Sequence, residues 1–142
     1  MMMEFIKHVM RTPTHHVMVI REVFGLTIAD LSLIINVPRP TIYSWFQGRD
    51  PQPFVIPKLR YLFMMAEEAK KYEIERLGAL VSRRLFRGLS FIDLLKREEP
   101  KAKIKVALLT LKTLSKQEND DTTRSTHSYE NPEGARFGVG VD

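Results

Sequence analysis

The chain is predicted to be all-α, on three observations. Apolar residues recur at three- and four-residue steps, as in Val17, Ile20 and Phe24 and again in Ile104, Ala107, Leu108, Leu111 and Leu114. That spacing places side chains on one face of a helix. Capping signatures open some of these windows: Thr27 is followed three residues later by Asp30, and Ser90 precedes Phe91, Leu94 and Leu95. In each, a side-chain oxygen can accept from an amide that the helix leaves without a partner. Helix-stopping residues separate the windows, namely Gly25, Asn36-Val37-Pro38, Gly48 and Glu99-Pro100.

Taken in order, residues 1–14 read as a lead, loosely ordered or forming a short helix. Thr12-Pro13-Thr14 can start the first secure helix, which runs to about Phe24 and ends at Gly25. The Thr27/Asp30 box opens a second helix at Ile28, which Asn36 stops. Asn tolerates a left-handed backbone, and the following Val37-Pro38 forbids simple continuation. Arg39, Pro40 and Thr41 open a third helix, ended by Gly48. After a Pro-rich loop, Pro57 is placed to begin a long helix to about Gly78, with Leu59, Leu62, Phe63, Ala66 and Ala69 on its apolar face. Phe63-Met64-Met65 is read as core packing, since flexible Met fills gaps between helices. A short helix is expected from Leu80 to Phe86, closed by Gly88, and another from Ser90 to about Arg97. Lys101 to Lys116 forms an amphipathic helix flanked by Lys101, Lys103, Lys105 and Lys112. The polar residues 118–142 are expected to be a disordered tail.

The segment from Leu26 to Gly48 carries the most specific signal. Two helices crossing steeply need interlocking apolar side chains at fixed offsets, and Leu31, Ile35, Val37, Ile42 and Trp45 supply them. Ser32 provides a small side chain at the crossing point. This pattern resembles the Xre/Cro-like, or lambda-repressor-like, helix-turn-helix DNA-binding domain over residues 15–70, with Gly48-Arg49-Asp50-Pro51-Gln52-Pro53 leading into a further helix as that family does. The chain then reads as four parts: a lead (1–14), the DNA-binding domain that the resemblance implies (15–78), a helical extension available for dimerisation (79–117) and the tail (118–142). Two residues depart from the family pattern. Pro38 stands where a Ser or Thr cap is usual, and Ile28 where many members carry a polar residue that touches a phosphate.

Composition narrows the field further. With 44% hydrophobic residues a chain of 142 residues can build one ordinary core, and no run of about 18 apolar residues would span a bilayer. The first residues have neither the charged start with apolar run nor the cleavage site of a signal peptide. The absence of Cys excludes disulfides and thiol catalysis and is compatible with a reducing cytoplasm. Charge is uneven: residues 1–117 hold 20 Lys and Arg against 11 Asp and Glu, whereas residues 118–142 hold 2 against 6. A basic folded part with an acidic tail suits a nucleic-acid binder, although solubility alone can also favour such an excess.

By the resemblance, the third helix lies in the major groove. Ile42 and Trp45 face the core, leaving Arg39, Pro40, Thr41, Tyr43 and Ser44 outward. Arg39, Pro40 and Ser44 are then the base-facing residues, with Thr41 and Tyr43 beside them. Arg39 could take both acceptors of a guanine, and the rings of Pro40 and Tyr43 could touch a thymine methyl. Thr27, Gln47, Arg49 and the backbone amides at the start of both motif helices would hold phosphates. No catalytic, cofactor or metal site is expected. His15 and His16 are adjacent on a helix and point about 100 degrees apart, so they do not converge on one ion. Tyr43 lacks the His and Arg constellation a recombinase nucleophile needs, and Glu67-Glu68, Glu73/Glu75 and Glu98-Glu99 read as solvated helix faces among Lys and Arg. Neither a glycine-rich phosphate loop nor a nucleophile elbow is present.

The expectation is a cytoplasmic, bacterial or phage regulator that binds double-stranded DNA as a homodimer on a palindromic site. An antitoxin holding a toxin or other protein through its C-terminal region is an alternative, as is a protein-interaction module on the same fold. Leu33 and Ile34, apolar but outside the usual core set, need a cover from the C-terminal helices or from a second subunit, and the stripe of residues 104 to 114 is available for pairing.

Overall fold

A computed structural model describes the backbone of residues 12–128 and the side chains of residues 12–119. The lead before residue 12 and the tail beyond residue 128 lie outside the described residues. Helices account for the regular structure: α1 (Pro13–Phe24), α2 (Ile28–Ile35), α3 (Arg39–Phe46), α4 (Ile56–Lys70), α5 (Leu77–Leu80), α6 (Phe91–Lys96) and α7 (Lys101–Ser128). Among the described residues there is no strand beyond an isolated Phe86 and Leu89 bridge, and no helix is long and apolar enough to cross a membrane.

The first three helices begin and end where local chemistry dictates. The Thr12 hydroxyl accepts from the His15 amide at 3.2 Å, and Gly25, at φ +66°, closes α1. At α2 the Thr27 hydroxyl accepts from the Asp30 amide, and the Asp30 carboxylate accepts from the Thr27 amide, both at 3.0 Å. Asn36 closes α2 at φ +68°. α3 has no side-chain cap because Pro38 stands at its N-cap. Its other end is well closed: the amides of Gly48 and Arg49 bond back to the Trp45 and Ser44 carbonyls, with Gly48 at φ +100°.

The middle of the chain departs from the sequence reading. The helix expected from Pro57 to Gly78 begins at Ile56 and stops at Lys70, because Glu73 (φ +49°) and Arg76 (φ +58°) turn the backbone left-handed. Gly78 is no helix terminus. It lies within α5, where its backbone meets that of Gly25: a Cβ on Gly25 would sit 2.7 Å from the Gly78 Cα. The helix expected over Leu80 to Phe86 is replaced by the short α5 and a tight turn. There Arg87 (φ +55°) and Gly88 (φ +83°) both take the positive φ that two-residue primed turns require, and Phe86 and Leu89 exchange backbone bonds of 2.9 and 3.0 Å.

One cluster of buried side chains joins all seven helices. Val17, Ile20 and Phe24 of α1 meet Leu31 of α2, Ile42 of α3, Leu62 of α4, Leu80 of α5, Phe91 and Leu95 of α6, and Ile104, Leu108 and Leu111 of α7. Phe24 and Phe91 touch as tilted rings with centroids 5.6 Å apart. α4 packs along α1 and α7, α5 fits between α1 and α7, and α6 leans on α2. Burial of such side chains is the main favourable term in folding, at about 25 cal/mol per Å².

Polar ties hold the C-terminal helices in place. Lys58 of α4 donates to the Leu95 and Lys96 carbonyls at 3.0 and 2.8 Å, supplying the donors that the end of α6 lacks, and also reaches Glu98. Burial lowers the pKa of Lys58, with Glu98 opposing. Tyr61 donates to the Glu99 carbonyl at 2.6 Å; burial, reinforced by Glu98 and Glu99, pushes its pKa up to about 12. Glu68, expected to be solvated, is only 4% exposed and pairs with Lys71 at 3.3 Å and Lys101 at 3.6 Å. Burial would raise its pKa, but the Lys71 hydrogen bond and the charges of Lys71, Lys105 and Lys101 outweigh that and hold it below the usual range.

α7 also corrects the reading of the tail. It continues past Lys116 to Ser128, so the expectation of disorder from residue 118 fails over that stretch. The helix is held from outside on both sides of Lys116: Ser115 donates to the Glu75 carbonyl at 2.7 Å, Asn119 bonds the Glu75 carboxylate at 2.7 Å, and Glu118 pairs with Arg83. The apolar stripe is not free for pairing. Ile104, Ala107, Leu108 and Leu111 are buried in the chain's own core, while Val106 and Leu109 beside them are exposed.

Candidate nucleic-acid interface

α3 buries Ile42 and Trp45 and turns its remaining side chains outward. Residues three, four, seven or eight apart share one side of a helix, so Arg39, Tyr43, Phe46 and Gln47 form one strip with Pro40 beside it. Arg39, Pro40, Tyr43, Gln47 and Arg49 are exposed, whereas Thr41 and Ser44 are half-buried. Ser44 is less available than its position suggested: its hydroxyl donates to the Thr41 carbonyl at 2.6 Å, leaving only lone pairs for a ligand.

The frame behind this strip is fixed by side chains that face inward. Leu31, Ile35 and Val37 are buried with Ile42 and Trp45 in the same cluster. Ser32 donates to the Val37 carbonyl at 2.5 Å, bracing the turn between α2 and α3. Thr14 of α1 donates to the Trp45 carbonyl at 3.2 Å, tying the end of α3 to the start of α1.

The electrostatics of the strip are simple. The guanidinium groups of Arg39 and of Arg49, just beyond α3, form no ion pair or hydrogen bond among the described residues, so both keep all their donors for a ligand. The Tyr43 hydroxyl is also unengaged there, and its ring lies 6.4 Å from that of Phe46. Phe46, 38% exposed, belongs to the strip although sequence reasoning left it out. Its spacing of three from Tyr43 and seven from Arg39 was the available signal.

Backbone amides contribute less than expected at both helix starts. The Thr27 amide and hydroxyl oxygen are occupied by Asp30, whose carboxylate would also repel a phosphate at that end of α2. Thr27 retains its hydroxyl proton. At α3, Pro38 and Pro40 carry no N–H and the Thr41 amide bonds the Pro38 carbonyl at 3.0 Å, which leaves Arg39 as the donor in that first turn. Ile28, one of the two departures from the family pattern, is buried.

The remaining chemistry-bearing candidates do not join the strip. His15 and His16 are half-buried against Phe63, the His16 ring stacking on it at 4.3 Å. Among the described residues no group of His, Asp and Glu could hold a metal ion. Ile34 is buried and Leu33 is 70% exposed. α6 packs on α2, so the chain covers one member of that pair and leaves the other open.

These features define an all-α protein that presents a short, tightly framed helix with unpaired arginines and exposed rings. Compared with models of known protein families, with curated proteins and with solved structures, the chain matches none.

Proposed function

We propose that the chain is a sequence-specific regulator of transcription that binds double-stranded DNA, with α2 and α3 as a lambda-repressor-like helix-turn-helix and α3 in the major groove. The observation that carries this reading is the outward strip of α3, where Arg39 and Tyr43 lie one turn apart on a frame locked from behind. Arg39 reads a guanine, and the rings of Pro40 and Tyr43 contact apolar base edges. Gln47 and Arg49, at the far end of the helix, hold the phosphate backbone and set the register. The two prolines at the start of α3 shift anion binding from backbone amides to side chains, Arg49 above all. The protein binds as a dimer, with Leu33 as part of the surface that a second subunit covers.

Selection of the full chain against a random duplex pool tests the proposal. The expected result is a palindromic consensus with half-sites about one helical turn apart. Arg39→Ala then relaxes preference at one position per half-site at a cost of about 1–3 kcal/mol, while Arg49→Ala weakens all sequences about equally and lowers the salt slope by about one. Absence of enrichment, or identical effects from the two substitutions, refutes the assignment.

A further inference from the structure

We propose that the groove between the Phe86–Leu89 turn, α6 and α7 binds an amphiphilic organic carboxylate, an apolar chain with one negatively charged end. The groove encloses about 440 Å³, within the size range of small-molecule sites. Its walls are Phe86 and Leu89 from the turn, Leu94 from α6, and Val106 and Ala107 from α7. Burial of an alkyl chain against such walls is driven by the hydrophobic effect, and Val106 on one wall is 64% exposed.

The rim fixes the charge of the ligand. Arg87, Arg97 and Lys103 surround the groove and no carboxylate lines it. Glu99 lies nearby, 4.0 Å from Arg97 and 3.3 Å from Lys103, so a single anion is shared by two of the cations. Arg87 has no ion pair or hydrogen bond among the described residues. The turn that carries it is closed by two backbone bonds between Phe86 and Leu89. A guanidinium in that position can make a bidentate contact to a carboxylate at the mouth of an apolar groove.

The same charge argues against a second copy as the occupant. A two-fold contact through this groove would set Arg87, Arg97 and Lys103 near their own symmetry mates, with no carboxylate in the groove lining to offset them. A ligand with one carboxylate and an apolar body satisfies both the rim and the walls.

The test uses no nucleic acid and so stands apart from the DNA reading. Decanoate, below its micelle concentration, is titrated into the full chain by calorimetry, with decanol as the uncharged control. The expected result is saturable binding of one decanoate per chain, with decanol and the Arg87→Glu variant each weaker by about tenfold or more, the loss of one charge-assisted contact. Val106→Trp, on an exposed position, fills the groove and abolishes binding while circular dichroism shows the helices intact. The proposal is overturned by equal affinity for decanol and decanoate, by non-saturable uptake, or by wild-type affinity in Arg87→Glu. It is equally overturned if the groove proves occupied by a second chain, seen as a dimer that Val106→Trp dissociates.

Discussion

The contact between Gly25 and Gly78 offers a measurement of how far the C-terminal helices are part of the same folding unit as α1 to α4. Gly25 sits at φ +66°, where a Cβ costs about 1–2 kcal/mol, and its Cβ would also stand 2.7 Å from the Gly78 Cα, inside any real contact distance. Neither atom is the end of a flexible side chain, so α5 must move away from α1, an overpacking cost of about 1–3 kcal/mol. Gly25→Ala therefore loses roughly 2–5 kcal/mol. Gly48 isolates the first term, since it has φ +100° with nothing within 4 Å. Gly48→Ala should cost about 1–2 kcal/mol. Gly78 meets the same contact from the other side: it has no positive φ, its Cβ would lie 3.2 Å from the Gly25 Cα, and the strain of that contact is set against the roughly 1 kcal/mol by which Ala is favoured over Gly inside a helix. At about 4 °C per kcal/mol for a chain of this size, Gly25→Ala should melt roughly 8–20 °C below the parent. The assay is thermal unfolding followed by circular dichroism, with the three variants in parallel and a single transition expected in each. Equal shifts for Gly25→Ala and Gly48→Ala would show that the two backbones are not in contact. Two separate transitions in the parent would refute a shared core.

Two further predictions concern the ties around α6. Tyr61, with its pKa raised from 10.0 to about 12 in the folded state, stabilises the fold fully below pH 10, and that contribution is lost as pH rises through about 12. Tyr61→Phe should cost about 1 kcal/mol at neutral pH through the lost bond to Glu99, and should delete the late step in phenolate absorbance; a titration with the late step intact contradicts the assignment. Asp93 has its pKa held below 3.8, chiefly by the backbone bond from Ser90, with burial opposing and the Ser90 hydroxyl, Lys96 and Arg84 assisting. Its contribution is present above that ordinary value and lost as pH falls through the folded one. Ser90→Ala, which breaks the 3.1 Å half of the box, should lower stability in urea by about 1 kcal/mol at neutral pH and by less in acid. An equal loss at both pH values would sink the coupling.

Features decided within a few residues were legible in the sequence. The Thr27/Asp30 box, the Ser90 cap, the left-handed Asn36 and the missing cap at Pro38 all follow from side chains acting on their own backbone. The buried set Leu31, Ile35, Val37, Ile42 and Trp45 was legible from spacing. What was not legible depends on partners distant in the chain. Glu73, Arg76, Arg87 and Glu98 take positive φ with no residue type to announce it, so the breaks after Lys70 and Leu80 were missed. Gly78 looked like a terminator because its contact with Gly25 is tertiary. Glu68 reads as a surface residue until Lys101 arrives from α7. The exposure of Arg39, Pro40, Tyr43, Gln47 and Arg49 was legible by position, whereas the engagement of Ser44 with Thr41 is a rotamer choice that sequence does not reveal.

The geometry of α3 rests on the rest of the chain more than its own sequence supports. A helix of eight residues is far below the length that persists alone, and α3 lacks a side-chain cap. Its direction is therefore set by what it leans on, α1 through Thr14 and α2 through the buried cluster. α2, also of eight residues, is leaned on by α6, and the carbonyl end of α6 is held by Lys58 of α4. The path from α3 thus runs through residues 79–117, which the sequence suggested as an extension for dimerisation. Ending the chain at Gly78 would strip Phe91 from Phe24 and remove Ile104, Leu108 and Leu111 from the cluster. Loss of the proposed DNA binding on such truncation would then report a collapsed frame, whatever the oligomeric state. The interface of the proposed dimer then belongs on surface the core leaves free, such as Leu33 on α2 and Leu109 on α7.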